Sequence, residues 1–511
     1  MSNPKTEAGA GVASSAAGET DVIVLGVGTC GEDLSLRLLG AGLHVVGVEA
    51  ALVGGECAYW ACLPSKMMIR GANVLQEARR VEGMAGRAEV APDWAPVARR
   101  VRAEVSGGWD DSYAVQRFQS RGGRLVHGRG RLVGPRTVAV GDEIFTARSG
   151  VVIATGSRPA IPPIAGLNDV DYWTTHDMIQ AEQLPASLIV LGGGTVGCEL
   201  GQMLARFGVQ VTILEAAERL LPGEEPEASQ VVQATFADEG IAVHTGSAAQ
   251  RVEAREGSIV VTLADGAEVA AERLLVATGR RPNTSGLGLQ AAGLDDGAPF
   301  IAVDERMRAA DGIWAMGDVT GKAMFTHVAL YQSAIVAAGI LQLPHPAARY
   351  DAVPRVTFTD PEVGAVGLTE AQARATERDV VVVVKQVASS FRGWLHGSGS
   401  GIVKLVADRQ NGVLLGATTV APRGGEMLGL LNLAVHVRLP LSELRSMIYA
   451  FPTFYGVIGE TVGASGRGLA TVIDPGYTGF EALDVVAAPL PMSGMPASQL
   501  QPDGLEETVD G

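Results

Sequence analysis

The sequence predicts an α/β protein: two domains of one βαβ design, then a C-terminal α+β domain. Three observations carry that reading. The first is an internal repeat, "DVIVLGVGTCGEDLSLRLLGAGLHVVGVEA" (21–50) and "SLIVLGGGTVGCELGQMLARFGVQVTILEA" (187–216). The second is a series of apolar strands that end in Thr-Gly or Gly-Asp turns. The third lies after residue 350, where the β-type runs "VVVVVKQV", "GIVKLVAD" and "LLGATTV" are followed by a helical stretch from Glu426 to Val437.

In each repeat a short apolar run suited to a buried strand passes a glycine loop and continues as a helical pattern. A second apolar run then ends in an acid. The glycines are Gly26, Gly28 and Gly31, and Gly192, Gly194 and Gly197; the acids are Glu49 and Glu215, each 23 positions after its first glycine. A dinucleotide needs those types at those places. The first glycine makes the tight turn, the second lets the backbone approach a pyrophosphate, and the third packs helix on strand. The helix N-terminus then faces the anion, and the carboxylate accepts from ribose hydroxyls. Glycines that only shape turns are the alternative, and it is weaker for two copies than for one. Two Rossmann-like units imply two dinucleotides. Glu215 would repel a 2′-phosphate, which favours NADH over NADPH, although Arg219 lies nearby.

The strands "VVIATGSRP" (151–159) and "LVATGRRPN" (275–283) end in Thr155-Gly156 and in Gly279, and look like crossings between the two domains. "GIWAMGDVTG" (312–321) sets Asp318 at a glycine turn, which suits a carboxylate holding a cofactor's sugar-alcohol chain. Taken alone, each of these turns is equally well purely structural.

"GGECAYWACLPSK" (54–66) puts Cys57 and Cys62 five positions apart in a chain whose other cysteines are Cys30 and Cys198. Zinc needs four ligands, and no histidine is near; no metal is expected. A structural staple over so short a loop would constrain little chain. Inert thiols and a reducible pair remain. Pro64 suits the first turn of a helix that continues through "SKMMIRGANVLQEARR". Cys62 would then sit near a helix N-terminus, where the dipole favours thiolate. Tyr59 and Trp60 either wall off the outer thiol or simply pack.

At 511 residues the chain is long enough for two to four domains, and 47% of it is hydrophobic. A net charge of −16 argues against nucleic acid and against an anionic membrane surface. No apolar run has the length of a membrane span. The opening "MSNPKTEAGAGVASSAAGET" lacks a signal-peptide core and reads as a flexible tail, and four cysteines do not make a secreted scaffold. A cytoplasmic protein is expected.

With these motifs in this order, the chain resembles the flavin-dependent pyridine nucleotide–disulfide oxidoreductases, which include dihydrolipoamide dehydrogenase, glutathione reductase and mercuric reductase. The resemblance runs from about residue 20 to about 470. It includes "PRVTFTDPEVGAVG" (354–367), which is similar to the opening of the family's dimerisation domain. It implies FAD at the first loop, NAD(P)H at the second, and a homodimer. By resemblance Cys62 faces the flavin and Cys57 is the outer thiol that attacks substrate. Lys66 matches a lysine near the flavin's reactive nitrogen, and Glu199 matches its ion-pair partner. Gly54 and Gly55 join the cofactor-binding set, and His327 lies where the family passes close to the flavin. The implied domains are 20–160 with 281–350 for FAD, 161–280 for NAD(P) and 351–475 for the interface. Flexible tails would occupy 1–19 and 476–511.

One departure bears on function. Thiol-disulfide members carry a His-Pro-Thr segment near the C-terminus, with a glutamate five residues after the histidine. Here "YAFPTFYGVIGE" (449–460) holds Phe451 and Gly456 at those positions, and no histidine follows His436. A positioned imidazole contributes about 10²- to 10⁴-fold. Tyr449 and Tyr455 are close in sequence, but a phenol of pKa about 10 is a poor shuttle. The expected function is electron transfer from NADH through FAD and Cys57–Cys62 to a small-molecule disulfide. The alternative is flavin reduction of quinones or other acceptors.

Overall fold

A computed structural model describes residues 16–397 and 400–468. Its first sheet has eight strands, with Glu143–Ile153 and Ala16–Leu25 side by side at the centre and Val45–Glu49 beyond. Val22–Leu25 run parallel to Val45–Val48 on one side and to Gly150–Ile153 on the other. The strand Ile313–Ala315 joins from far along the chain, parallel to Val151–Ile153. Val22, Ile23 and Val24 are fully buried, as strands covered on both faces must be. Side chains alternate between the faces. Val22 and Val24 pack with the helices Thr29–Gly40 and Thr326–Ile340. Ile23 and Leu25 pack with Leu132, Val138 and Phe145 of the antiparallel strands beneath.

The first strand begins at Ala16, not at residue 20, so the expected tail is shorter at its inner end. Gly18 and Glu19 pair with Phe145 and Thr146. Ala16 to Glu19 carry no apolar alternation; the 11-residue strand Glu143–Ile153 offers them a backbone ladder instead. The rest of that tail, and the whole of 476–511, lie outside the described residues.

The second repeat supplies the two central strands of a four-stranded parallel sheet in the order Ala242–His244, Gln210–Leu214, Ser187–Leu191, Arg273–Val276. Between the two sheets the chain crosses twice, and the crossings pair as a ribbon, Ser157–Pro159 against Arg280–Pro282. After residue 350 a five-stranded antiparallel sheet forms from Arg355–Thr357, Glu362–Gly367, Val413–Ala421, Ile402–Asp408 and Val380–Gln386. Leu428, Leu431 and Val435 of helix Gly424–Val437 cover one face. On the other, Lys404 is 1% exposed and reaches Glu225 at 3.0 Å, Glu227 at 2.8 Å and Glu370 at 2.9 Å. A buried ammonium is tolerable only when paired this fully, so the cluster ties this sheet to the second nucleotide-binding unit. Among the described residues no helix is long and apolar enough to cross a membrane.

Candidate active site

The two glycine loops have the same physics. A Cβ on Gly31 would lie 2.0 Å from the Gly26 carbonyl oxygen, and one on Gly197 would lie 1.9 Å from that of Gly192. Gly26 and Gly192 themselves have φ of +91° and +106°, a region that favours glycine. The middle glycine differs. A Cβ on Gly28 would meet nothing nearer than 3.7 Å, and one on Gly194 nothing within 4 Å. Packing therefore does not require glycine there, while close approach of a pyrophosphate does. Each strand-ending acid braces its loop. Glu49 accepts from Val27 N at 2.8 Å and Ala51 N at 2.9 Å, and Glu215 accepts from Gly193 N at 2.6 Å and Ala217 N at 2.7 Å. Each carboxylate oxygen keeps a second lone pair, so both loops fit a dinucleotide. Arg219 turns away, donating to the carbonyls of Leu221 and Pro222 and to Ser229 Oγ.

The crossing turns tie to one another. Thr155 Oγ1 donates to the Asn283 carbonyl at 2.7 Å, and Asn283 returns a bond to the Thr155 carbonyl at 2.9 Å. Gly156 and Gly279 have positive φ and open space where a Cβ would stand. Asp318 accepts from Ser157 Oγ at 2.5 Å, and Ser157 Oγ accepts from Arg280 Nε at 2.7 Å. The proposed sugar-binding carboxylate is thus held at the crossing.

The cysteine segment abuts the first glycine loop. Gly54 N donates to the Val27 carbonyl, and Thr29 Oγ1 to the Gly54 carbonyl. A Cβ on Gly55 would sit 2.7 Å from Gly28 Cα. Cys57 lies in the short helix Gly55–Tyr59, and Cys62 opens the helix Cys62–Arg79. Thr326 Oγ1 stands 3.3 Å from Cys62 Sγ. The neighbouring Cys57 thiol, aided by Thr326 and the charge of Lys66, outweighs burial and pulls Cys62 down to about 6. Cys62, with burial, pushes Cys57 up. Negative charge is thus favoured on Cys62, at the helix N-terminus, over Cys57.

Lys66, one turn further along, meets Glu199 across the chain at 2.6 Å. Glu199 is buried and also accepts from Phe358 N, while the Lys66 ammonium lies 4.8 Å from the Phe358 ring centroid. All three domains meet at this ion pair, and the structure brings Lys66 and Glu199 together with the cysteine helix.

Other residues behave differently. His327 is exposed, stacks on Phe325 and bonds the Pro354 carbonyl; its neighbour Thr326 is the one that meets Cys62. Burial pushes the Cys30 thiol up to about 12 and raises that of Cys198, consistent with inert thiols. Tyr449 donates to the Leu444 carbonyl, and burial pushes its phenol up to about 12. Tyr455 accepts from Ala450 N. Phe451 is 64% exposed and meets Phe391 edge-on at 5.2 Å. Among the described residues no cluster of His, Cys, Asp or Glu is placed to hold a metal.

Sequence reasoning missed a second network. Glu56, beside Cys57, accepts from His176 Nε2 at 2.8 Å and from Arg280 Nη2 at 2.9 Å. Tyr59 is buried, and Trp60 stacks on both His176 and Trp109. The partners lie 120 and 224 residues from Glu56, and no local pattern announces them.

Comparison with known proteins agrees with this geometry. Residues 20–333 match the pyridine nucleotide-disulphide oxidoreductase domain, and residues 353–462 match the dimerisation domain of the same proteins. The chain is 32% identical to a mercuric reductase of Staphylococcus aureus over 84% of this chain and 79% of that one. It is 33% identical to a dihydrolipoyl dehydrogenase of Thermus scotoductus over 85% and 94%. Among solved structures, the HOCl-induced flavoprotein disulfide reductase RclA of Escherichia coli superposes with a TM-score of 0.77 at 27% identity, covering 87% of this chain and 99% of that one. Twin dinucleotide loops, a cysteine couple at a helix start and matches along both parts lead to one assignment: the chain belongs to the pyridine nucleotide-disulphide oxidoreductases, enzymes that use FAD and NAD(P)H.

Proposed function

We propose that this enzyme reduces a disulfide with electrons from NADH, by way of FAD and the Cys57–Cys62 couple. The observation that carries the reading is the placement of Cys62 at the start of a helix, 3.3 Å from Thr326 Oγ1 and one turn before the Lys66–Glu199 ion pair, with Cys57 in the helix just ahead of it. Residues 20–160 with 281–350 would hold FAD, through Gly26, Gly28, Gly31, Glu49 and Asp318. Residues 161–280 would hold NADH, through Gly192, Gly194, Gly197 and Glu215. A second copy would dock through 351–475, as a dimerisation domain supports. When bound, FAD supplies hydride acceptance from NADH and two-electron reduction of the cysteine disulfide.

The residues then act as follows. Cys57 gives up its proton to water as its sulfur attacks one sulfur of the substrate, breaking the S–S bond and releasing one thiolate, which takes a proton from water. Cys62 thiolate attacks Cys57 in the mixed disulfide, expels the second thiol and restores the Cys57–Cys62 bond. Two electrons leave the couple, and NADH replaces them together with the Cys57 proton; the one further proton the reaction consumes ends on the product thiols. A second reading, reduction of quinones or similar acceptors, is favoured by Phe451 and Phe391, an aromatic pair at the site of the family's acid–base histidine.

Anaerobic titration with NADH tests the reading. A long-wavelength absorbance band should grow with reduction, as thiolate lies against oxidised flavin. Because Cys62 is pulled down, the band should be present above about pH 6 and fade below it. A reduced enzyme with no band at any pH would remove the thiolate from the flavin. Glu215, with Arg219 turned aside, sets the nucleotide preference. The ratio kcat/KM for NADH should exceed that for NADPH by roughly 10²-fold, and Glu215→Ala should narrow the gap. Equal use of both by the parent enzyme would overturn the role given to Glu215.

A further inference from the structure

The turn between the two cysteines is gripped from outside. Helix Gly55–Tyr59 ends at Trp60, and the next helix begins at Cys62, so Trp60 and Ala61 form the kink that separates the sulfurs. Trp60 N bonds the Glu56 carbonyl, which sets Glu56 and Trp60 four residues apart on one helical face. One imidazole engages both. His176 Nε2 donates to Glu56, and its ring stacks on Trp60 with centroids 4.6 Å apart and planes 12° from parallel.

His176 is itself anchored. The Thr174–Asp177 capping box starts its helix, and the preceding Trp173 exchanges backbone bonds with Leu274 and Val276 of the second sheet. Trp109 also stacks on Trp60, at 5.8 Å and 20°, and Arg102 lies over the Trp109 ring. Trp109 takes a φ of +59°, unusual for a bulky residue, and its Nε1 is buried with no hydrogen-bond partner among the described residues. Strain and an unmet donor are tolerated where the surroundings fix the position.

We propose that Trp60, stacked on His176 and Trp109, is a positioning residue that fixes the cysteine turn against the second nucleotide-binding domain and so sets how the two sulfurs face each other. This rests on the redox reading of Cys57 and Cys62 above. Trp60 acts through the geometry of the kink.

The test is the pH profile of iodoacetamide alkylation of the reduced holoenzyme, mapped to each cysteine. The parent should show two well-separated inflections, the lower at Cys62. In Trp60→Leu they should converge toward ordinary thiols, and Cys62 alkylation at pH 5.5 should slow about tenfold. Trp60→Phe, which keeps a stacked ring, should restore the separation. If Trp60→Leu does not fold, His176→Gln carries the test; it keeps a donor for Glu56 but removes one aromatic layer, and Cys62 alkylation should slow about threefold. Separation that survives these changes overturns the proposal alone. A parent enzyme whose thiols show no separation, and are not formed by NADH, removes the redox reading itself.

Discussion

Cys57→Ser should abolish disulfide reduction, lowering kcat by about three orders of magnitude or more, while NADH oxidation with a quinone persists at a similar rate. The serine hydroxyl cannot form the mixed disulfide, so the step that delivers electrons to sulfur is lost outright. The Cys57 thiol, the largest influence lowering Cys62, gives way to a hydroxyl that can donate in its place, and Thr326 at 3.3 Å, the Lys66 charge and the helix start remain, so Cys62 should stay a thiolate. With no partner sulfur to bond, it should give the long-wavelength band in the enzyme as isolated, before any NADH is added. Steady-state rates with lipoamide, glutathione disulfide and a quinone check the first part, and one absorption spectrum checks the second. If quinone turnover collapses together with disulfide turnover, the cysteines serve both acceptors, and direct flavin reduction of quinones has no basis. If disulfide turnover survives, Cys57 is not the attacking sulfur.

Residues close in sequence declared their roles, and those that depend on distant partners did not. The spacing of Gly26, Gly28 and Gly31 is dictated by one turn of chain, and that of Glu49 by the single helix and strand that follow, so a string of letters suffices to find it. The placement of Cys62 at a helix start followed from Pro64 and the helical pattern behind it, and the helix indeed begins at Cys62. Thr326 was unmarked, because its contact with Cys62 spans 264 residues and one hydroxyl carries no pattern. Trp60 was ambiguous for a related reason. Its two stacking partners come from segments near 109 and 176, and aromatic character alone does not distinguish a wall from a wedge. The start of the first strand at Ala16 was hidden differently, since a backbone ladder needs no particular side chains.

The substitution of Phe451 leads to the other large expected effect. After Cys57 attacks a disulfide, the departing thiolate needs a proton, and the residues near position 451 do not offer one. Tyr449 is part-buried with its phenol raised to about 12 and its hydroxyl donating to the Leu444 carbonyl, and phenols are poor proton donors at neutral pH in any case. Water is left as the donor, so turnover should track how readily the leaving thiol departs unprotonated. An aromatic disulfide such as dithiobis-nitrobenzoate, whose thiol is acidic, should therefore be reduced about 10²-fold faster than lipoamide, whose alkyl thiols are not. Phe451→His combined with Gly456→Glu should raise lipoamide turnover by roughly 10- to 10²-fold and leave the aromatic disulfide nearly unchanged. The glutamate needs a small adjustment. A Cβ at position 456 would meet Thr453 Oγ1 at 3.1 Å and the Ala450 carbonyl at 3.3 Å, both tighter than ordinary contact, so these neighbours must give by a few tenths of an ångström; the new acid would stand at the start of helix Gly456–Gly468, where negative charge is favoured. The double variant should also acquire a limb in its lipoamide pH profile near 6.5, the ordinary value for an imidazole, that the parent lacks. A parent enzyme that already turns over lipoamide as fast as the aromatic disulfide would show that its acid comes from elsewhere. In that case Phe451 is a wall of the acceptor site and not the mark of a missing proton donor.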